Sequence, residues 1–79
     1  MPTVELMFVT EVMQQVTDNR AKWGEVDAVK DHKDFVLIAQ EQVGQLSKLS
    51  VENDLLGMYR ETIHTVAILY ELFVRLQCL

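Results

Sequence analysis

Two polar clusters interrupt stretches that are otherwise apolar: Glu41-Gln42-Val43-Gly44-Gln45-Leu46 and Glu61-Thr62-Ile63-His64-Thr65-Val66-Ala67. In each, two side chains able to ligate or hydrogen-bond stand three positions apart, Gln42 with Gln45 and Glu61 with His64. On a helix that spacing puts both members on one face, a turn apart. A carboxylate and an imidazole can hold a metal ion or move a proton, whereas amides offer oxygen ligands without charge. The pair Glu61 and His64 serves equally well as a buried hydrogen-bonded pair with no ligand. Gln42 falls where a hydrophobe is expected, on the stripe Phe35, Ile38, Ala39, Leu46 and Leu49. A buried polar group left without a partner costs about 1–3 kcal/mol, so the fold should bring something to it.

Helices must position these clusters. Leu6, Val9, Val12, Met13 and Val16 recur at helical spacing, with Glu5, Glu11, Gln14 and Gln15 on the other side. Pro2 suits a first turn and Thr3 a cap. Asp18-Asn19-Arg20 reads as the end of this first helix, since Asp and Asn compete with helical bonding. From Asn19 to Lys30 the periodicity lapses into a charged loop that carries Trp23 and Gly24. A lone Trp there folds back as a lid over the core, or else its ring stacks on a nucleobase with Lys22 beside it for phosphate. Asp31, with Asp34 three residues on, predicts a capped second helix from His32 to about Leu49. His32, in its first turn, reads as a surface residue. Gly44 within that helix marks a close approach of another backbone. Ser50 or Asn53 caps a third helix, from about Asp54 to Leu76, with the stripe Leu56, Tyr59, Ile63, Val66, Tyr70 and Phe73. Beyond Ile63 this helix is apolar nearly all round, as expected of one buried among several neighbours.

The totals fit a small all-α domain spanning residues 1–79. With 79 residues and 49% hydrophobic content, the chain is near the size at which one core barely suffices. A three-helix unit that completes a four-helix-type bundle by oligomerisation is the expected architecture. A net charge of −5 argues against a nucleic-acid backbone or an anionic membrane surface as partner. One cysteine, Cys78, leaves no disulfide framework within the chain and reads as a small terminal hydrophobe. No basic segment precedes an apolar one at the start, and the longest apolar run, Val66 to Tyr70, is too short to span a bilayer. A cytoplasmic location is the expectation. A DNA-reading helix lacks its Arg, Lys and Asn cluster, and His64 has no Ser or Cys partner in its motif for nucleophilic catalysis.

Lys22-Trp23-Gly24, His32 and the two clusters follow one another in an order and spacing that resemble the MazG-like all-α nucleoside triphosphate pyrophosphohydrolases, over roughly Arg20 to Leu76. Short members of that family show a Lys-Trp-Gly loop, a His near a helix start, then Glu-Glu-Val-Gly-Glu-Leu and Glu-Leu-x-Asp-Val-Ala-Ala. The resemblance implies four acids, two from each helix, holding Mg²⁺, which binds the triphosphate and helps activate water at the α-phosphoryl group. The ligand positions it assigns here are Gln42, Gln45, Glu61 and His64. Glu41 and Glu61 would be the catalytic carboxylates, and Lys22 and Trp23 the substrate-binding pair. Only Glu61 keeps its carboxylate among the four ligand positions. The favoured expectation is therefore a family homologue impaired or inactive as a pyrophosphohydrolase. One alternative is an active metal-dependent enzyme that binds a nucleoside triphosphate and releases pyrophosphate. Another is a purely structural helical module for oligomerisation or protein interaction, its polar pairs fixing the specificity of association. By analogy the assembly is a homodimer or homotetramer.

Overall fold

A computed structural model describes residues 3–78. These form three helices, α1 (Val4–Asp27), α2 (His32–Val51) and α3 (Leu55–Gln77), with no strand among the described residues. Pro2 lies outside the described residues. Each start is held by a side chain placed to satisfy orphan N–H groups. The Thr3 hydroxyl accepts from the Leu6 N–H at 3.1 Å. The Asp31 carboxylate accepts from the Lys33 and Asp34 N–H groups, while the Asp34 carboxylate accepts from the Asp31 N–H, a reciprocal capping box. The hydrogen bond from the Asp34 N–H, followed by that from Lys33, holds the Asp31 carboxyl below its ordinary 3.8. Asp54, rather than Ser50 or Asn53, caps α3, accepting from the Gly57 N–H at 2.9 Å. Asn53 takes a left-handed φ of 57° between α2 and α3, a conformation Asn tolerates better than most residues.

The main departure from the sequence reading is the length of α1. It does not end near Asp18-Asn19-Arg20 but continues to Asp27, so Trp23 and Gly24 are helical and the connection shrinks to residues 28–31. Asp18 and Asn19 do not cap anything. Their side-chain oxygens accept from the amides of Gln14 and Gln15, one turn back, at 3.0 and 2.8 Å. Local i, i+4 bonds of this kind support a helix. Tertiary contacts then carry the last turns: Arg20 binds Glu71 at 2.8 Å, and the Arg75 guanidinium donates to the Asp27 carbonyl at 2.6 Å. Trp23 is 48% exposed, which overturns its reading as a lid over the core.

Helix α3 is the common support. Both α1 and α2 pack on it, and neither packs on the other. Glu11 meets Tyr59, Arg20 meets Glu71 and Asp27 meets Arg75, so α1 runs parallel to α3. Helix α2 runs antiparallel to it, with Leu49 beside Gly57 at one end and Phe35 beneath the Arg75 guanidinium at the other. The core is thin. Val12 and Val16 meet Ala67, with Phe8, Ile63, Val66 and Tyr70 packed around them, and Phe35 and Ala39 are the buried apolar residues of α2. Leu6, Val9 and Met13 on α1, and Leu69, Phe73 and Leu76 on α3, are exposed where the periodicity predicts burial.

The molecule is accordingly flat and open, 37 × 33 × 21 Å with a radius of gyration of 13.4 Å. A compact chain of this length would have a radius of about 11.6 Å. The accessible surface is 5922 Å², against about 4,900 Å² for a compact monomer of the same mass. Among the described residues no helix is long and apolar enough to cross a membrane.

Candidate functional site

Because α1 and α2 lean on α3 without meeting, a cleft of about 890 Å³ opens between them, floored by α3. Helix α1 presents Gln15, Asn19, Lys22 and Val26 to it, spaced by four, three and four residues. That is the continuous helical register which the longer α1 makes possible. Helix α2 contributes Ile38, Glu41 and Gln42, and α3 contributes His64 and Ile68. The volume is within the range of small-molecule sites, while the lining residues are mostly polar, with Val26, Ile38, Ile68 and the Trp23 ring as the apolar part.

The cleft brings together Lys22, Trp23, Glu41, Gln42 and His64, five of the residues singled out by type and spacing. Gln45, on the exposed side of α2, and Glu61, half-buried on α3, do not line it. Glu61 instead uses its backbone carbonyl to accept from the buried Thr65 hydroxyl at 2.7 Å. Gln42 sits on the predicted stripe with Phe35 and Ala39 buried beside it, and its Oε1 is buried with no hydrogen-bond partner. Asp18, Gln15 and Asn19 were not anticipated as cleft residues. Their helical register with Lys22 was the available signal, obscured by reading Asp18 and Asn19 as a helix end.

The charges of the cleft are partly spoken for. Lys30 is 2.7 Å from the Asp27 carboxylate, and the Lys22 ammonium lies over the Trp23 ring, 5.0 Å from its centroid. Asp18 accepts a neutral amide bond from Gln14. A smaller cavity of about 210 Å³ adjoins along α1 and α3, lined in part by Glu11, Tyr59 and Arg60, and His64 forms part of the wall of both. There the Tyr59 hydroxyl donates to the Glu11 carboxylate, which holds the phenol above its ordinary 10.0.

The Mg²⁺ implied by the resemblance does not suit this donor set. Two of the four matching positions are neutral amides, one is an imidazole better matched to transition metals, and one is a carboxylate. Among the described residues no three His, Cys, Asp or Glu side chains gather closely enough to hold a metal ion. His32 is half-buried in the first turn of α2 and does not line the large cleft, and Cys78 is an exposed free thiol. No backbone or side chain lies within 4 Å of where a Cβ on Gly44 would be, so within the chain the expected close approach at Gly44 does not occur.

No family model, curated protein or solved structure matches the chain.

Proposed function

We propose that the chain is a MazG-like helical module, related to the all-α NTP pyrophosphatases, that has lost pyrophosphohydrolysis and keeps the cleft for binding. The observation that carries this reading is the composition of the cleft. Five residues at family-like positions converge on it, yet they present Gln42 and His64 where a triphosphate-bound Mg²⁺ would need carboxylates. What these side chains do instead is hydrogen-bond, stack and present charge. Glu41 and Asp18 offer carboxylates, Gln42 a carbonyl oxygen, His64 an imidazole and Trp23 an exposed ring.

A second part of the proposal concerns assembly: the three helices complete a four-helix-type bundle as a homodimer or homotetramer. Supporting it is the surplus of accessible surface, roughly 1,000 Å² over a compact monomer. One partner's share of a stable interface is about 800 Å². The purely structural reading draws on the same surplus, and differs in expecting no ligand in the cleft.

Pyrophosphate release from a panel of ribo- and deoxyribonucleoside triphosphates, with Mg²⁺, Mn²⁺ or Zn²⁺, tests the loss of hydrolysis. The expected result is no turnover beyond that of a Glu61→Gln variant purified in parallel. Turnover that disappears in Glu61→Gln would establish a working enzyme and overturn the proposal.

A further inference from the structure

We infer that the cleft between α1 and α2 binds an organic ammonium cation, a primary amine carried on an apolar or aromatic body. The inference rests on the binding role proposed above and names the class of its ligand. Four observations converge on it.

The first is Gln42, which lines the cleft and whose Oε1, buried without a partner, meets a ligand once the amide turns toward the opening. A buried acceptor calls for an N–H donor, and an ammonium group supplies three. The second is the balance of charge. Three carboxylates, Asp18, Asp27 and Glu41, face two ammonium groups, and Lys30 is already joined to Asp27. Glu41 and Asp18 stand in no ion pair among the described residues. An unchelated triphosphate would set its own negative charge against both, whereas a cation is attracted by both. The third is the apolar part of the lining, Val26 on one wall, Ile38 on the other and Ile68 on the floor, which offers surface for the body of the ligand. The fourth is Trp23. Its ring already carries an ammonium, that of Lys22, held at 5.0 Å by an exposed side chain. The place is therefore chemically a cation site that the chain fills loosely by itself, and a ligand ammonium would take it by displacing Lys22.

This competition gives the inference a sign that a phosphate site cannot share. If Lys22 grips an anion, removing its charge weakens binding; if Lys22 competes with a cation, removing it strengthens binding. Trp23 is the only tryptophan in the chain, so its emission reads the cleft directly. The full chain would be titrated with phenethylamine, with the neutral 2-phenylethanol, and with ATP in the presence and absence of Mg²⁺.

Phenethylamine is expected to give a saturable change, and 2-phenylethanol to bind roughly tenfold more weakly, as loss of a charge-assisted hydrogen bond implies. Lys22→Met should tighten phenethylamine binding by about two- to fivefold. Glu41→Gln should weaken it about tenfold, with Asp18→Asn as an independent test at a second exposed carboxylate. Equal affinity for 2-phenylethanol, weaker amine binding in Lys22→Met, or indifference to both carboxylate variants would each overturn the inference. So would tight ATP binding that phenethylamine fails to displace. Pyrophosphate release is scored separately, so a failure of amine binding leaves the loss of hydrolysis standing, and the reverse also holds.

Discussion

Gln42 concentrates the tension between stability and use in this molecule. Its Oε1 is buried without a partner on the face of α2 that also buries Phe35 and Ala39. Replacing it by an apolar side chain of similar size removes the cost of desolvating the amide. Gln42→Leu is therefore expected to be more stable by about 1 kcal/mol, seen as a thermal midpoint raised by roughly 4–8 °C for a domain of this size. An unchanged or lower midpoint would mean that the amide finds a partner in solution. That Gln42 shares the face of the buried Phe35 and Ala39 was legible from its place in the Phe35, Ile38, Ala39, Leu46, Leu49 series, because periodicity is local. That Gln45 turns outward and Glu61 stays off the cleft was not legible. Residues three apart on a helix share a broad face, but they differ by about 60° in direction, and the lean of the neighbouring helix decides which of them reaches the cleft.

At the scale of the element, the three glycines separate into two kinds. Gly44 is exposed within α2, and Gly24 lies within α1; a Cβ on either would have nothing within 4 Å. Alanine there costs nothing sterically and gains about 1 kcal/mol of helix propensity. Gly57 differs, since its Cβ would lie 2.6 Å from Asp54 Oδ2 and 3.0 Å from Leu49 Cδ2. It would push aside the carboxylate that caps α3, at a cost of about 1 kcal/mol. Chemical denaturation should thus rank Gly44→Ala above the parent and Gly57→Ala clearly below Gly44→Ala, because at Gly57 the disturbed cap offsets the same gain in helix propensity. The start of α2 was readable because Asp31 stands beside strong helical periodicity, and the start of α3 was readable to within a residue, although Asp54 and not Ser50 or Asn53 is its cap. The true end of α1 was not, since Asp18, Asn19 and Gly24 all carry a preference for turns, and the bonds from Gln14 and Gln15, together with the Arg20–Glu71 and Arg75–Asp27 contacts, outweigh it. Those last two contacts join residues about fifty positions apart, beyond the reach of any local pattern.

At the scale of the whole molecule, the thin core and wide surface set the expected behaviour in solution. Leu69, Phe73 and Leu76 form an exposed stripe on α3, with Phe73 at 60% exposure. If a second copy covers it, the thermal midpoint rises with protein concentration, and Phe73→Glu yields a monomer in sedimentation equilibrium, with a lower midpoint. A parent chain that sediments as a monomer at all concentrations would remove the proposed assembly. The all-α class was legible from periodicity throughout, whereas the open arrangement was not, because the apolar stripes do not say which of them meet. The parallel course of α1 along α3 has its own consequence for the order of events during folding. Helices α2 and α3 are joined by a tight turn and can zip together at once, while α1 reaches α3 through contacts such as Glu11–Tyr59 and Arg20–Glu71, separated by 48 and 51 residues. Closing that larger loop costs more chain entropy. The hairpin is therefore expected to form first and α1 to dock last, and in native-state hydrogen exchange the amides of α1 are expected to be released before those of the hairpin. The cleft, which exists only while α1 is docked, would then be the part of the molecule a ligand most readily stabilises.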